Sequence, residues 1–125
     1  MSPTNAHRSL IALRTILGAV SYLRPDIAAR AFGIDPDESP SIPSAIRLFG
    51  AREAAMALAI ATRSPEQLSL WLKVGAGVDA LDVLTVAMGA SRRQLGGHTI
   101  VVGAGMASFA VALGVRALRG HRPSR

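Results

Sequence analysis

Apolar residues gather in four long stretches, at about 9–23, 46–62, 68–90 and 99–115, with short polar or proline- and glycine-bearing breaks between them. At about 1.5 Å per residue such stretches, read as helices, approach the thickness of a bilayer core. Thr99 to Val115 holds no Asp, Glu, Lys or Arg and is the clearest transmembrane candidate, at the short end of the usual range of about 17–25 residues. The other three carry charges within their apolar runs, beginning with Arg14 in the first.

The breaks carry start and stop signals. Arg24-Pro25-Asp26 opens a short helix that ends before Gly33, with Ile27, Ala28, Ala31 and Phe32 apolar and Arg30 on another side, which reads as an interfacial helix. Asp35, Asp37, Glu38, Pro40 and Pro43 form an acidic, proline-broken loop, with Ser44 expected as the next N-cap. In Ser64-Pro65-Glu66-Gln67, Ser64 is placed to cap, Pro65 suits the first helical position and Gln67 completes a capping box. Trp71 follows at interfacial depth, and Gly96-Gly97 turns into the last helix. The expected fold is all-α: one domain over residues 1–125, an up-down four-helix transmembrane bundle with a short interfacial helix after the first span and a basic tail at 116–125.

Composition agrees. Half of the 125 residues are hydrophobic and only 4% aromatic, so Ala, Leu, Val and Ile with 12 glycines supply the apolar mass, which suits close helix packing in lipid. The absence of cysteine excludes disulfides and thiol chemistry. A net charge of +6 raises the question of nucleic acid, but the basic residues form no stripe interleaved with aromatics. Arg116, Arg119, Arg122 and Arg125 instead follow the last apolar run, as the positive-inside rule expects of a cytoplasmic tail. With Arg8 and Arg63 on that same side, against Arg24, Arg30, Arg92, Arg93 and the acidic loop on the other, both termini are expected in the cytoplasm. A cleaved signal peptide ending near Ala19-Val20-Ser21 is the rival for the first stretch, and Arg14 inside its apolar run argues against it.

The informative residues are charges in apolar company: Arg47, Arg52 and Glu53 in the second stretch, and Lys73, Asp79 and Asp82 in the third. Each charge near a helix centre costs roughly 2.5–3.5 kcal/mol on insertion, against about 0.3–0.6 kcal/mol returned per large apolar residue. The third helix therefore needs a partner of opposite charge. Counted from the outer face, Arg52 falls roughly 9–10 Å deep and Asp82 about 12 Å deep on the neighbouring antiparallel helix, with Asp79 one turn further on the same side. A shared polar centre of Arg47, Arg52, Glu53, Asp79 and Asp82 is expected, serving either as an ion-pair clasp or as a site for a proton, ion or polar ligand. Lys73 is expected to snorkel to the boundary, as are Arg14 and Arg47.

Other motifs fail. Ile100 to Ser108 imitates a dinucleotide-binding turn, but Ser108 replaces the third glycine and no acidic residue follows Asp82 to hold a ribose. His7, His98 and His121 lack metal-ligand spacing, and no serine has the companions of a nucleophile; no cofactor or metal is expected. Ala51, Ala55 and Ala59, and likewise Ala104, Ser108 and Ala112, form small-residue stripes that suit association with a second copy or a membrane partner.

Arg47-Leu48-Phe49-Gly50-Ala51-Arg52-Glu53 followed by Asp79-Ala80-Leu81-Asp82 resembles a pattern of an uncharacterised family of small four-helix bacterial, mainly actinobacterial, integral membrane proteins. The resemblance implies a four-helix fold and a place in the bacterial cytoplasmic membrane, and supplies no activity or assigned site. The functional expectation is a non-enzymatic membrane protein that binds or passes a small species through its polar centre. The alternatives are a membrane enzyme acting on a lipid-like substrate, with Glu53, Asp79 or Asp82 as acid or base, and a soluble helical interaction domain.

Overall fold

A computed structural model of the chain describes residues 3–121, and every regular element among them is helical. Four long helices, α1 (Pro3–Leu23), α3 (Ser41–Thr62), α4 (Pro65–Ser91) and α5 (Gly97–Gly120), run up and down, with the short α2 (Pro25–Ala31) after the first. The buried positions of α1, Ala6, Leu10, Arg14, Gly18 and Ser21, recur at intervals of four and then three, so one stripe faces the bundle centre. The remaining faces of the long helices carry exposed leucine, isoleucine and valine.

Around the bundle the order is α3, α1, α5, α4. α1 packs closely on α3 and also on α5, α5 packs closely on α4, and α3 and α4 make the slightest contact of any packed pair. The two middle helices are thus neighbours, as expected, but they touch only slightly, and most of the packing of α3 is against α1. The α1–α3 crossing is tight because of two glycines. A Cβ on Gly18 would come within 2.8 Å of the Ala54 backbone nitrogen, and one on Gly50 within 2.7 Å of the Tyr22 nitrogen.

Along its axis the bundle has three layers. At the end holding the α3–α4 connection, Ala6, Leu10, Ile60, Leu72, Ala110, Leu113 and Ala117 form a dry plug. His121 closes this end, its Nε2 2.6 Å from the Pro65 carbonyl oxygen, and the Arg63 guanidinium lies 5.3 Å from the Trp71 ring centroid, a cation–π contact. Charged side chains occupy the middle layer. A cavity occupies the third, capped by α2 and the two turns at that end.

That cap is built around Gly33, whose φ of +74° requires glycine. A Cβ there would also meet the His98 ring at 2.7 Å, and His98 Nε2 lies 3.1 Å from the Ala31 carbonyl oxygen. α2 is docked on the bundle through Pro25, Ala28 and Ala29, while Ile27 stays exposed.

Several boundaries differ from the sequence reading. α3 begins at Ser41 behind Pro40, not at Ser44, because Pro43 sits in its first turn, where a missing N–H is harmless. Ser64 does stand at the N-cap of α4, but its side chain makes no capping bond to the backbone. Glu66, not Gln67, answers it: hydrogen bonds from its own backbone N–H and from the Ser64 hydroxyl hold the Glu66 carboxyl below the usual range. α5 continues to Gly120, so Arg116 and Arg119 are helical residues and not tail. Arg122 and Arg125 lie outside the described residues.

Candidate functional site

The middle layer is a single chain of five alternating charges. Arg14 reaches from α1 to both neighbours, its Nη1 donating to Glu53 Oε2 of α3 at 2.7 Å and its Nη2 to Asp79 Oδ2 of α4 at 2.6 Å. Glu53 passes the chain on through Oε1, 3.2 Å from Arg52 Nη2. Arg52 closes on Asp82 with two bonds, Nη1 to Oδ1 at 3.2 Å and Nη2 to Oδ2 at 2.7 Å. The order Asp79–Arg14–Glu53–Arg52–Asp82 joins α4, α1, α3 and α4 again. Such two-pronged guanidinium–carboxylate contacts are among the strongest hydrogen bonds a protein makes.

Arg14 is 1% exposed, and Glu53 and Asp79 are 3% exposed, so three of the five charges are buried. Arg14 fits because Gly75 lies beneath it, where a Cβ would stand 3.1 Å from Nη2. Arg52 and Asp82 are half-buried and bridge the seam where α3 and α4 separate. The Arg52 guanidinium also lies 5.0 Å from the Phe49 ring centroid, and Phe49 meets Phe32 edge-on at 6.1 Å.

Of the residues expected at the polar centre, the structure brings together Arg52, Glu53, Asp79 and Asp82. Arg47 is exposed and makes no ion pair among the described residues, so it falls outside the cluster. Lys73 is exposed as well. Arg14, expected to reach the boundary, is instead the least exposed charge among the described residues, which corrects the snorkelling assignment. Two signals pointed to it. Arg14 shares the spacing of Ala6, Leu10 and Gly18, and once Arg47 and Lys73 face outward, three carboxylates face one arginine and a second cation must come from α1.

A cavity of about 580 Å³ opens directly above this chain. Its floor is Arg14, Glu53, Asp79 and Asp82, and its walls are chiefly apolar, among them Leu17, Phe49, Val86 and Met106, with Arg92 and Gln94 at the mouth. The volume lies within the roughly 300–1,000 Å³ of small-molecule sites. Several polar atoms at the floor or in the charge chain beneath it keep unused capacity. Nε of Arg14 and of Arg52 is buried without an acceptor among the described residues, and Asp79 uses only Oδ2 toward its partner. Among the described residues no group of three or more His, Asp or Glu side chains converges as metal ligands would.

Among the described residues one helix, α5, is long and apolar enough to cross a membrane, with a mean hydropathy of 1.8 over its most apolar window. Residues 12–115 match a family described as Domain of unknown function (DUF4267). The chain belongs to this family. The matched residues take in the whole charge chain and every residue of the cavity floor. No curated protein and no solved structure matches the chain.

Proposed function

We propose that this member of the family is an integral membrane binding protein. In this reading the four long helices cross the cytoplasmic membrane, α2 lies at its outer surface, both termini are cytoplasmic, and the cavity receives a small, largely apolar ligand whose polar end meets the charge chain. The observation that carries it is an inversion of polarity: the bundle centre is ionic, whereas Ile16, Leu48, Leu58, Leu81 and Val101 are each more than 60% exposed. These residues lie on four helices around the bundle, and soluble monomers seldom show apolar surface on that scale. Only 28% of the most apolar window of α5 is buried, unlike the core helix of a soluble protein.

Hydropathy taken one helix at a time underrates α1, α3 and α4 as spans. Their central charges face one another, so lipid meets little of them. Binding is favoured over catalysis because every floor carboxylate is already engaged by a guanidinium, which leaves none of them free to act on a substrate's proton. The enzymatic alternative is favoured by one observation, that the cavity reaches Asp79 and Asp82.

The experiment has two parts. The protein should stay in the membrane pellet through an alkaline carbonate wash and leave it only in detergent. Native mass spectrometry of the detergent-purified protein should then show a retained small molecule, which Ala107→Trp, filling the cavity wall, should remove without changing membrane retention. Release by carbonate alone would overturn the membrane reading, and an unchanged adduct in Ala107→Trp would overturn the cavity as its site.

A further inference from the structure

The charge chain is unbalanced. Two guanidiniums, Arg14 and Arg52, meet three carboxylates, Glu53, Asp79 and Asp82, and the excess negative charge faces an apolar cavity. A net charge in low dielectric is costly unless something compensates it. Among the described residues no further cation pairs with these carboxylates. Lys73 and Arg47 face outward, and Arg92, at the mouth, stands about 15 Å beyond Asp82 along α4 at about 1.5 Å per residue. Asp79 Oδ1 takes no hydrogen bond among the described residues, although the residue is 3% exposed and lines the cavity floor.

From this geometry we infer that the cavity selects small organic cations, a protonated amine on an apolar body, with the ammonium group against Asp79 and Asp82 and the apolar part along the Val86–Met106 wall. This rests on the binding-protein reading above and adds the ligand's charge to it. An ammonium group supplies both things the floor lacks: a positive charge, and N–H donors for an open carboxylate oxygen. A metal ion does not fit, because guanidiniums hold the carboxylates apart and they form no ligand group. A carboxylate ligand would add to the excess charge. Loss of water from the cavity strengthens the discrimination, since charge–charge interactions grow as the dielectric falls.

The test uses the full-length protein in nanodiscs and three soluble probes of one chain length, hexylamine, hexan-1-ol and hexanoate, with binding measured by calorimetry against empty nanodiscs. Hexylamine should bind about tenfold or more tighter than hexanol, a difference of about 1.4 kcal/mol, and hexanoate should bind weakest. Asp82→Asn balances the chain at two charges of each sign, leaves Arg52 its bond to Glu53, and should reduce hexylamine to the affinity of hexanol. Thr85→Lys, on the cavity wall one turn from Asp82, leaves every member of the chain in place and should do the same, which covers the case of an Asp82→Asn protein that fails to fold. Equal binding of hexylamine and hexanol by the wild type would overturn the cation inference and leave the binding site standing. If none of the three binds, the binding-protein reading fails with it.

Discussion

Arg14 decides whether the bundle centre holds. Among the described residues it is the side chain whose ion pairs join α1 to both α3 and α4, and replacing it alone strands Asp79 and leaves Glu53 with Arg52 only. Arg14→Met should therefore destabilise the protein by roughly 3–5 kcal/mol, the range for breaking a buried ion pair by removing one partner. Arg14→Met combined with Glu53→Gln and Asp79→Asn removes the stranded charge and should recover most of that loss. Thermal unfolding of the detergent-purified variants measures both, and a triple variant as unstable as the single one would show that the guanidinium acts by filling space. At this scale the sequence was partly legible. Arg52 and Asp82 could be paired from helix depth alone, because antiparallel helices of known rise put equal depths side by side. Arg14 was misjudged because snorkelling depends on where a residue points, and that direction is set by the tertiary packing of α1.

Between elements, glycine does work that hydrophobicity could not reveal. Gly18 and Gly50 let α1 and α3 cross nearly backbone to backbone, and the nearest atoms to an added Cβ are main-chain atoms that cannot swing aside. Gly50→Ala should accordingly cost about 1–3 kcal/mol, as overpacking does. In contrast, Gly77, with nothing within 4 Å of an added Cβ, should accept alanine with little change; the pair of melting temperatures checks the claim. The alanine stripes singled out from sequence behave differently. Ala51 and Ala55 are exposed, as are Ser108 and Ala112, while Ala104 is half-buried and Ala59 buried, so most of each stripe lies on an outward face and away from the crossing that forms. The long helices themselves were plain in the apolar runs. Their first residues were not, because a proline such as Pro43 is compatible with the first turn of a helix as well as with a loop, and only the neighbouring backbone distinguishes the two.

The whole molecule is two unequal pieces held by α1. α1, α2 and α3 form one cluster and α4 with α5 the other. The covalent link between α3 and α4 is only Arg63 and Ser64, and these two helices share little more than the bond from Arg52 to Asp82. What joins the pieces is α1 against α5, and Arg14 against Asp79. The continuity of the peptide at that point is therefore nearly dispensable. Residues 1–63 and 64–125, expressed as separate polypeptides, should find one another in the membrane and co-purify, and Arg14→Met should abolish the reunion. In the membrane reading proposed above, an architecture that survived such a cut would let α3 and α4 part sideways while the rest stayed assembled, giving a guest dissolved in the bilayer a route inward that never passes through water.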